Sequence, residues 1–491
     1  MTESIRLRFG IVGAALLLGA AGSALLQPAP WGLNLLLWIA LLVAALLGLA
    51  RWEGVPLVGG GRWMLAPAVG FAGAFLWRDS PTLQMLNLLC LLLALGLAAY
   101  RAQAGQLRTA GIVDYALGLA YAGLNAIVGF LLLIGDEVPW RQLAVPRRSP
   151  QTVAIIRGVL LALPLLFVFG ALFASADAVF AEAVADLFDW NVESVVTDLF
   201  WLAVWAWLAG GILRFALRFD VERAESRDFA APWTVGAIEM SVVLGLLNAL
   251  FLAFVAVQLR YFFGGAALVV SSDGLTYAEY ARRGFFELVT VAALVLPLLL
   301  AVHWLLDRSA PGSERRFGWL AGALVALLFV IMASAVQRMI LYQQAFGLTE
   351  LRLYTSAFMA WLALVFVWFG LTVLRGRRER FVFGALVAGL LTVVALNALN
   401  PDELIVRTNL ARPPVNAAFD AGYAASLSAD AVPALVAGLP QVDPASRCTI
   451  ASALRRRWQP PAAPDWRTWN ASRAAAYRAV AARGAELEGG C

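Results

Sequence analysis

Long apolar runs separated by short polar ones organise this chain. The runs cover residues 9–26, 31–50, 63–77, 83–100, 110–134, 152–173, 197–213, 233–256, 284–305, 317–336, 355–374 and 381–398. Most hold about 15 to 25 residues, which at ~1.5 Å per helical residue matches a ~30 Å hydrocarbon layer. Runs that are apolar all round, and not on one stripe, have no face to offer water. The pattern therefore predicts an all-α fold, a polytopic transmembrane helical bundle. The first run follows Arg6 and Arg8 and is read as an uncleaved helix, because the next begins almost at once at Trp31. Beyond residue 398 the pattern changes. Proline at 413, 414, 433, 440, 444, 460, 461 and 464 alternates with Ala-rich stretches near 429–438, 446–458 and 465–485, which predicts a small helical domain outside the membrane.

Composition narrows the setting. Of 491 residues, 62% are hydrophobic and 14% charged, with a mean hydropathy of +0.78, which excludes a cytosolic globular protein, a disordered chain and a disulfide scaffold. All 37 basic residues are Arg, and with the abundance of Ala, Leu and Gly this is the bias of a GC-rich bacterium. The expected location is the bacterial cytoplasmic (inner) membrane, with the tail outside. Arginine sets orientation, because short cytoplasmic loops collect positive charge. Twelve spans with the tail outside place 15 Arg inside and 11 outside. Eleven spans, with the N-terminus inside, place 20 inside and 6 outside if 110–134 lies along the cytoplasmic surface. Leaving out 63–77 instead gives 19 to 7. The interfacial assignment goes to 110–134, which carries Asp114, Asn125 and four Gly, whereas 63–77 is uncharged and bracketed by Trp63 and Trp77. The expected divisions are 1–134 (four spans and the interfacial helix), 135–398 (seven spans) and 399–491 (the tail).

The chemistry available is limited. One His (His303) and three Cys (Cys90, Cys448, Cys491) exclude His-rich metal sites, bis-His haem and Cys-cluster centres, so no cofactor and no metal is expected. Basic charge that serves topology gives nucleic-acid binding no support. His303 reads as an interface residue and Cys90 as core. Polar residues collect in four stretches on the outer side: 174–180, 258–287, 338–355 and 397–409. In the second, Thr276 and Glu279 form a capping box, so a helix should start at Tyr277 with Tyr277, Tyr280 and Arg283 three apart and Glu279, Arg283 and Glu287 four apart. The stretches are expected to converge on an external polar pocket of Asp177, Arg260, Tyr277, Glu279, Tyr280, Arg283, Glu287, Arg338, Glu350 and Arg407, roofed partly by the tail. A network that only staples helix ends together is the competing account. Arg157 and Glu239, at similar depth in their spans, are a candidate intramembrane ion pair. Cys448 and Cys491, both in the tail, are a candidate disulfide in an oxidising compartment.

Two classes of function fit. One is a non-catalytic envelope component (permease, sensor or assembly factor) whose partners are membrane lipid and an anionic lipid, solute or envelope protein. The other is a membrane enzyme acting on a lipid-linked or phosphate-bearing substrate, with Asp177 or Glu279 as base and Arg260, Arg283 or Arg338 holding a phosphate. No repeat relates the halves of the bundle, so the inverted-repeat signature of many transporters is missing.

The strings ASADAVF, YAEYARRGFFELV, RMILYQQAFGLTELRLYT, NPDELIVRTNLA and SLSADAVPAL resemble a bacterial polytopic membrane family known only as a domain of unknown function, numbered 4153 or 4173. The resemblance covers roughly residues 150–435 and implies a multi-spanning membrane protein without an assigned activity or assigned site residues.

Overall fold

A computed structural model describes residues 2–57, 59–100, 107–138, 173, 177, 192–218, 234–263, 285–412 and 419–489. The described residues form α-helices and short helical turns with no β-strand. The membrane-length helices are α1 (Thr2–Leu26), α2 (Leu33–Trp52), α4 (Pro81–Tyr100), α5 (Ile112–Leu132), α6 (Val192–Arg218), α7 (Ala237–Phe263), α8 (Phe285–Leu305), α9 (Ser313–Phe346), α10 (Glu350–Thr372) and α11 (Phe381–Leu399). Among the described residues, these ten are long and apolar enough to cross a membrane. The run 152–173 lies outside the described residues except at its last position. Helix α3 (Leu65–Trp77) has 13 residues, about 20 Å of rise, which is short of a hydrocarbon layer. Helix α5 has 21. By length alone, then, the run expected to lie flat can cross, and the run expected to cross is too short to do so as a helix.

Contacts divide the chain into two units. One comprises Met1–Ala29, Leu37–Val58 and Leu119–Phe219. Here α1 packs along α6. In lipid the hydrophobic effect does not drive helices together, so close approach and polar bonds must. Gly22 supplies the approach, since a Cβ there would sit 2.5 Å from the Trp205 ring. Ser23 Oγ adds a bond to the Asp198 carbonyl at 3.0 Å, and Gln27 donates to Asp198 Oδ1 at 2.8 Å. Gly211 of α6 admits α5 in the same way, because a Cβ would lie 2.4 Å from the Asn125 carbonyl. Glu137, in a π-turn that continues α5, is gripped by three arginines. Arg214 donates to its Oε1 (2.6 Å), Arg218 to its Oε2 (2.5 Å) and Arg8 to its carbonyl.

The other unit comprises Pro30–Leu36, Gly59–Gly118 and Asp220–Cys491. Its bundle core runs through α7–α11, with Met240, Leu244, Ala292, Leu324, Leu328 and Phe366 almost fully buried. One end of this bundle is rich in arginine. Arg308, Arg315, Arg316, Arg375, Arg377, Arg378 and Arg380 flank the α8–α9 and α10–α11 connections, and His303 packs there on Phe317. The tail packs on the opposite end. It begins where α11 stops at Asn400, which takes the left-handed φ of 55° that Asn tolerates, and Pro401 starts α12 (Pro401–Leu410) at a position where its missing N–H costs nothing. The rest is α13 (Ala421–Ser426), α14 (Val432–Gly438), α15 (Pro444–Arg457), α16 (Ala471–Ala482) and α17 (Gly484–Gly489). Ile405, Val406, Leu435, Ile450 and Leu454 form its core, continuous with Leu83, Leu353 and Leu396 from the ends of α4, α10 and α11.

Candidate functional site

Where the tail meets the bundle, charged side chains are buried. Asp430, whose side chain is shut off from solvent, accepts from the backbone N–H of Asp79 (2.9 Å) and Ser80 (2.8 Å), which form the connection between α3 and α4. Ser472 donates to its other oxygen, and Arg78 Nη1 lies 3.7 Å from it. Arg78 Nε also donates to the Asn397 carbonyl at 2.7 Å, and Asn397 and Asn87 exchange two amide hydrogen bonds at 3.0 and 2.7 Å. At the N-cap of α16 in the tail, Asn470 donates to the carbonyls of Phe75 (2.7 Å) and Arg78 (3.0 Å). Arg473 reaches the Trp31 carbonyl (3.0 Å) and pairs with Asp79 at 3.6 Å.

Asp402 is the third carboxylate. It is 1% exposed, and its Oδ2 accepts from the Ser428 N–H (3.1 Å) and hydroxyl (2.5 Å). Burial pushes the Asp402 carboxyl up to about 6, opposed by the Ser428 bonds and helped by the charges of Glu350 and Asp430. Burial likewise raises Asp79 to about 6, against the pull of Arg473. Desolvation lowers Arg473 from its usual value.

Beside this junction a groove of about 560 Å³ runs between α9 and α10. Its walls include Met332, Met339, Met359 and Leu353, with Leu404 of α12 closing one end, and its polar side chains are Gln343 and Ser356. Val336 and Ile340 of its lining are 44% and 48% exposed, so the groove opens on the flank of the helix pair. Cations stand at its tail end. Arg352 lies 3.9 Å over the Tyr342 ring and Arg412 donates to the Ala345 carbonyl (2.9 Å), whereas Arg338, on the face of α9 turned to α7, donates to Gln258 (2.9 Å).

Of the residues read from sequence, Tyr277, Glu279, Tyr280, Arg283 and Arg157 lie outside the described residues, as does the Arg260 side chain on α7. Asp177 is exposed, with its N–H bonded to the Phe173 carbonyl. Glu287 is exposed in the first turn of α8. Through Gln258 and Arg338 the second polar stretch meets the third. The third meets the fourth where Asn409 exchanges two bonds with Leu348, at 2.7 and 2.8 Å. Glu350 accepts from Thr82 (3.3 Å), its N–H donates to Tyr423, and Arg407 pairs with Glu403 on the α12 surface. Glu239 is a correction of position. Its carboxylate accepts from the Gly236 N–H at 2.7 Å, so it caps the start of α7 at the span's end and is exposed, because the helix begins at Ala237 and not near 233. The Cys491 end of the candidate disulfide lies outside the described residues.

The junction residues Arg78, Asp79, Asp402, Asp430 and Arg473 were not among the sequence candidates. A signal existed for two of them: Asp402 and Asp430 stand in the strings NPDELIV and SLSADAV, polar positions set against apolar neighbours. The sequence model of the family described as Domain of unknown function (DUF4153) matches residues 65–438, a span that starts well before the residues carrying the motif resemblance. No curated protein and no solved structure matches the chain.

Proposed function

The chain belongs to the DUF4153 family, whose function is unknown, and from that premise we propose that it is a non-catalytic component of a bacterial inner membrane that holds an anionic lipid. The observation that carries this is the groove between α9 and α10, which among the described residues is lined by apolar side chains plus Gln343 and Ser356, with no carboxylate. A groove open on the flank of two membrane-length helices faces hydrocarbon, so its natural occupant is an acyl chain. Arg352 and Arg412 near the tail end are placed to meet a phosphate headgroup. An enzyme acting on such a lipid needs a free carboxylate over the groove. Among the described residues, Glu350 at the start of α10 is engaged by Thr82, and the buried aspartates of the junction face backbone amides and hydroxyls.

The charge rule orients the protein with each arginine-rich end in the cytoplasm, which leaves the tail outside. At the start of α5 Tyr115 donates to the Leu107 carbonyl (2.8 Å), and Arg108 lies over Phe383. It ends at Glu137 among Arg8, Arg214 and Arg218. We read α5 as interfacial on the charge rule, which favours a cytoplasmic place for the arginines of both loops that flank it.

The test is binding of phosphatidylglycerol carrying a fluorescent acyl chain to the purified protein in detergent. Ala360→Trp, which fills the groove, is expected to reduce binding at least tenfold, and Arg352→Gln to reduce it less. Unchanged binding in Ala360→Trp, with the variant folded, removes the reading.

A further inference from the structure

Three carboxylates and two guanidinium groups are enclosed where the tail meets the bundle. Asp430 lies 3.7 Å from Arg78, and Asp79 lies 3.6 Å from Arg473. Asp402 is the third acid, and among the described residues no cation is paired with it. Its Oδ1 is buried without a hydrogen-bond partner, so nothing on that side holds a negative charge.

One hydroxyl joins the odd carboxylate to its neighbour. Ser428 Oγ lies 2.5 Å from Asp402 Oδ2 and 3.2 Å from Asp430 Oδ2, and it accepts the Asp430 N–H at 3.2 Å. A hydroxyl has one hydrogen to give. With both acids ionised that hydrogen serves Asp402, and a serine lone pair then faces Asp430 with a negative charge on either side. A proton on Asp402 removes the conflict. Asp402 then donates to Ser428 Oγ, the serine hydrogen turns to Asp430 Oδ2, and two anions face two cations.

The same turn holds the tail on the bundle. Asp430 receives the N–H groups of Asp79 and Ser80, and Asp79 Oδ2 accepts the Ala429 N–H at 3.4 Å. Asp402 stands on α12, which follows directly from α11, so a charge placed there pushes on the turn that carries the clamp. We propose that Asp402 holds a proton in the docked state, relayed through Ser428 to Asp430, and that its loss as the pH rises on the tail's side of the membrane loosens the tail from the bundle. The device is independent of what the groove between α9 and α10 holds and of which side the tail faces.

The groups around each acid leave burial dominant. Toward Asp402, α10 brings the negative Glu350 and the Tyr354 phenol, α13 brings the Tyr423 phenol, and α12 brings Glu403, which is paired with Arg407. The phenols carry no charge between pH 5 and 8. Toward Asp79, Arg473 of α16 and Arg457 of α15 favour the anion and Asp430 opposes it. Burial pushes both Asp402 and Asp79 from 3.8 up to about 6. A carboxyl raised in the docked state stabilises docking fully below its ordinary value and loses that contribution as the pH climbs through about 6.

The test is amide hydrogen exchange of the purified full chain in detergent, read by mass spectrometry from pH 5 to 7.5 and corrected for the intrinsic pH dependence of exchange. The reporters are the Asp79, Ser80 and Ser428 N–H groups, which bond to Asp430 and Asp402. Their corrected exchange is expected to quicken about tenfold for each of the two raised carboxyls, about a hundredfold together, and to level off above about pH 6.5, while amides near Leu328 in α9 stay unchanged. Asp402→Asn, which carries its hydrogens at every pH, shrinks the step about tenfold, and Asp79→Asn leaves the Asp402 share in place. Should Asp402→Asn not fold, the levelling of the profile in the unaltered chain still decides. A flat profile, one that keeps climbing through pH 7.5, or a step that Asp402→Asn leaves at full size overturns the proposal.

Discussion

Asp430 and Ser80, 350 positions apart in sequence, are joined by a 2.8 Å hydrogen bond from the Ser80 N–H to the Asp430 carboxylate. That oxygen also takes the Asp79 N–H, so one tail side chain closes the connection between α3 and α4. Asp430→Ala leaves two buried amides and Arg78 without their acceptor. The expected cost is about 3–5 kcal/mol, as for other broken buried pairs. Limited proteolysis should then release the tail from a chain whose bundle stays intact. Asp430→Asn, which keeps the shape, should be milder, and equal protease resistance in the alanine variant would speak against a clamp.

Glu137 is held by Arg8, Arg214 and Arg218. Removing its charge leaves like charges facing each other in a partly buried site. Glu137→Gln is expected to lower stability by about 1–3 kcal/mol, read as a drop in Tm that added salt partly restores by screening. Arg218→Ala should cost less, because Arg214 still answers the carboxylate.

Gly211 is required by the approach of α5 to α6. A Cβ there meets the Asn125 carbonyl at 2.4 Å, a backbone atom that cannot turn aside, whereas Gly48 has nothing within 4 Å. Gly211→Ala is expected to cost about 1–3 kcal/mol, and Gly48→Ala to leave Tm unchanged. Similar melting of both variants would contradict the close crossing.

Single cysteines can settle the orientation of α5. With Cys90→Ser, Cys448→Ser and Cys491→Ser as background, cysteines at Arg108 and Val138 are expected to resist an impermeant maleimide in intact cells, while one at Ser446 is labelled. Labelling at one of the first two and not the other would show that α5 crosses.

The Cys448–Cys491 bond is open to a direct test. Under denaturing, non-reducing conditions a maleimide should tag Cys90 alone, and reduction should add the other two thiols. Three tags before reduction would rule the bond out.

Apolar runs such as 83–100 and 355–374 are legible as α4 and α10 because transfer into hydrocarbon is close to a sum over residues, each contributing wherever its neighbours are. The poles are legible for a similar reason, as Arg375, Arg377, Arg378 and Arg380 mark one end by their own hydration. Even the small helical tail follows from local propensity and its prolines. Glu239 was misplaced in depth by a few residues, because where a helix begins depends on a cap, here its own carboxylate on Gly236. What tertiary structure alone decided is which buried charge answers which. Asp79, Asp402 and Asp430 look alike in sequence, yet one pairs with Arg473, one lies beside Arg78 and one is held, among the described residues, by Ser428. Composition fixes how many charges a chain carries, but the energy of a buried charge depends on distances of a few ångströms to partners brought together only by the fold.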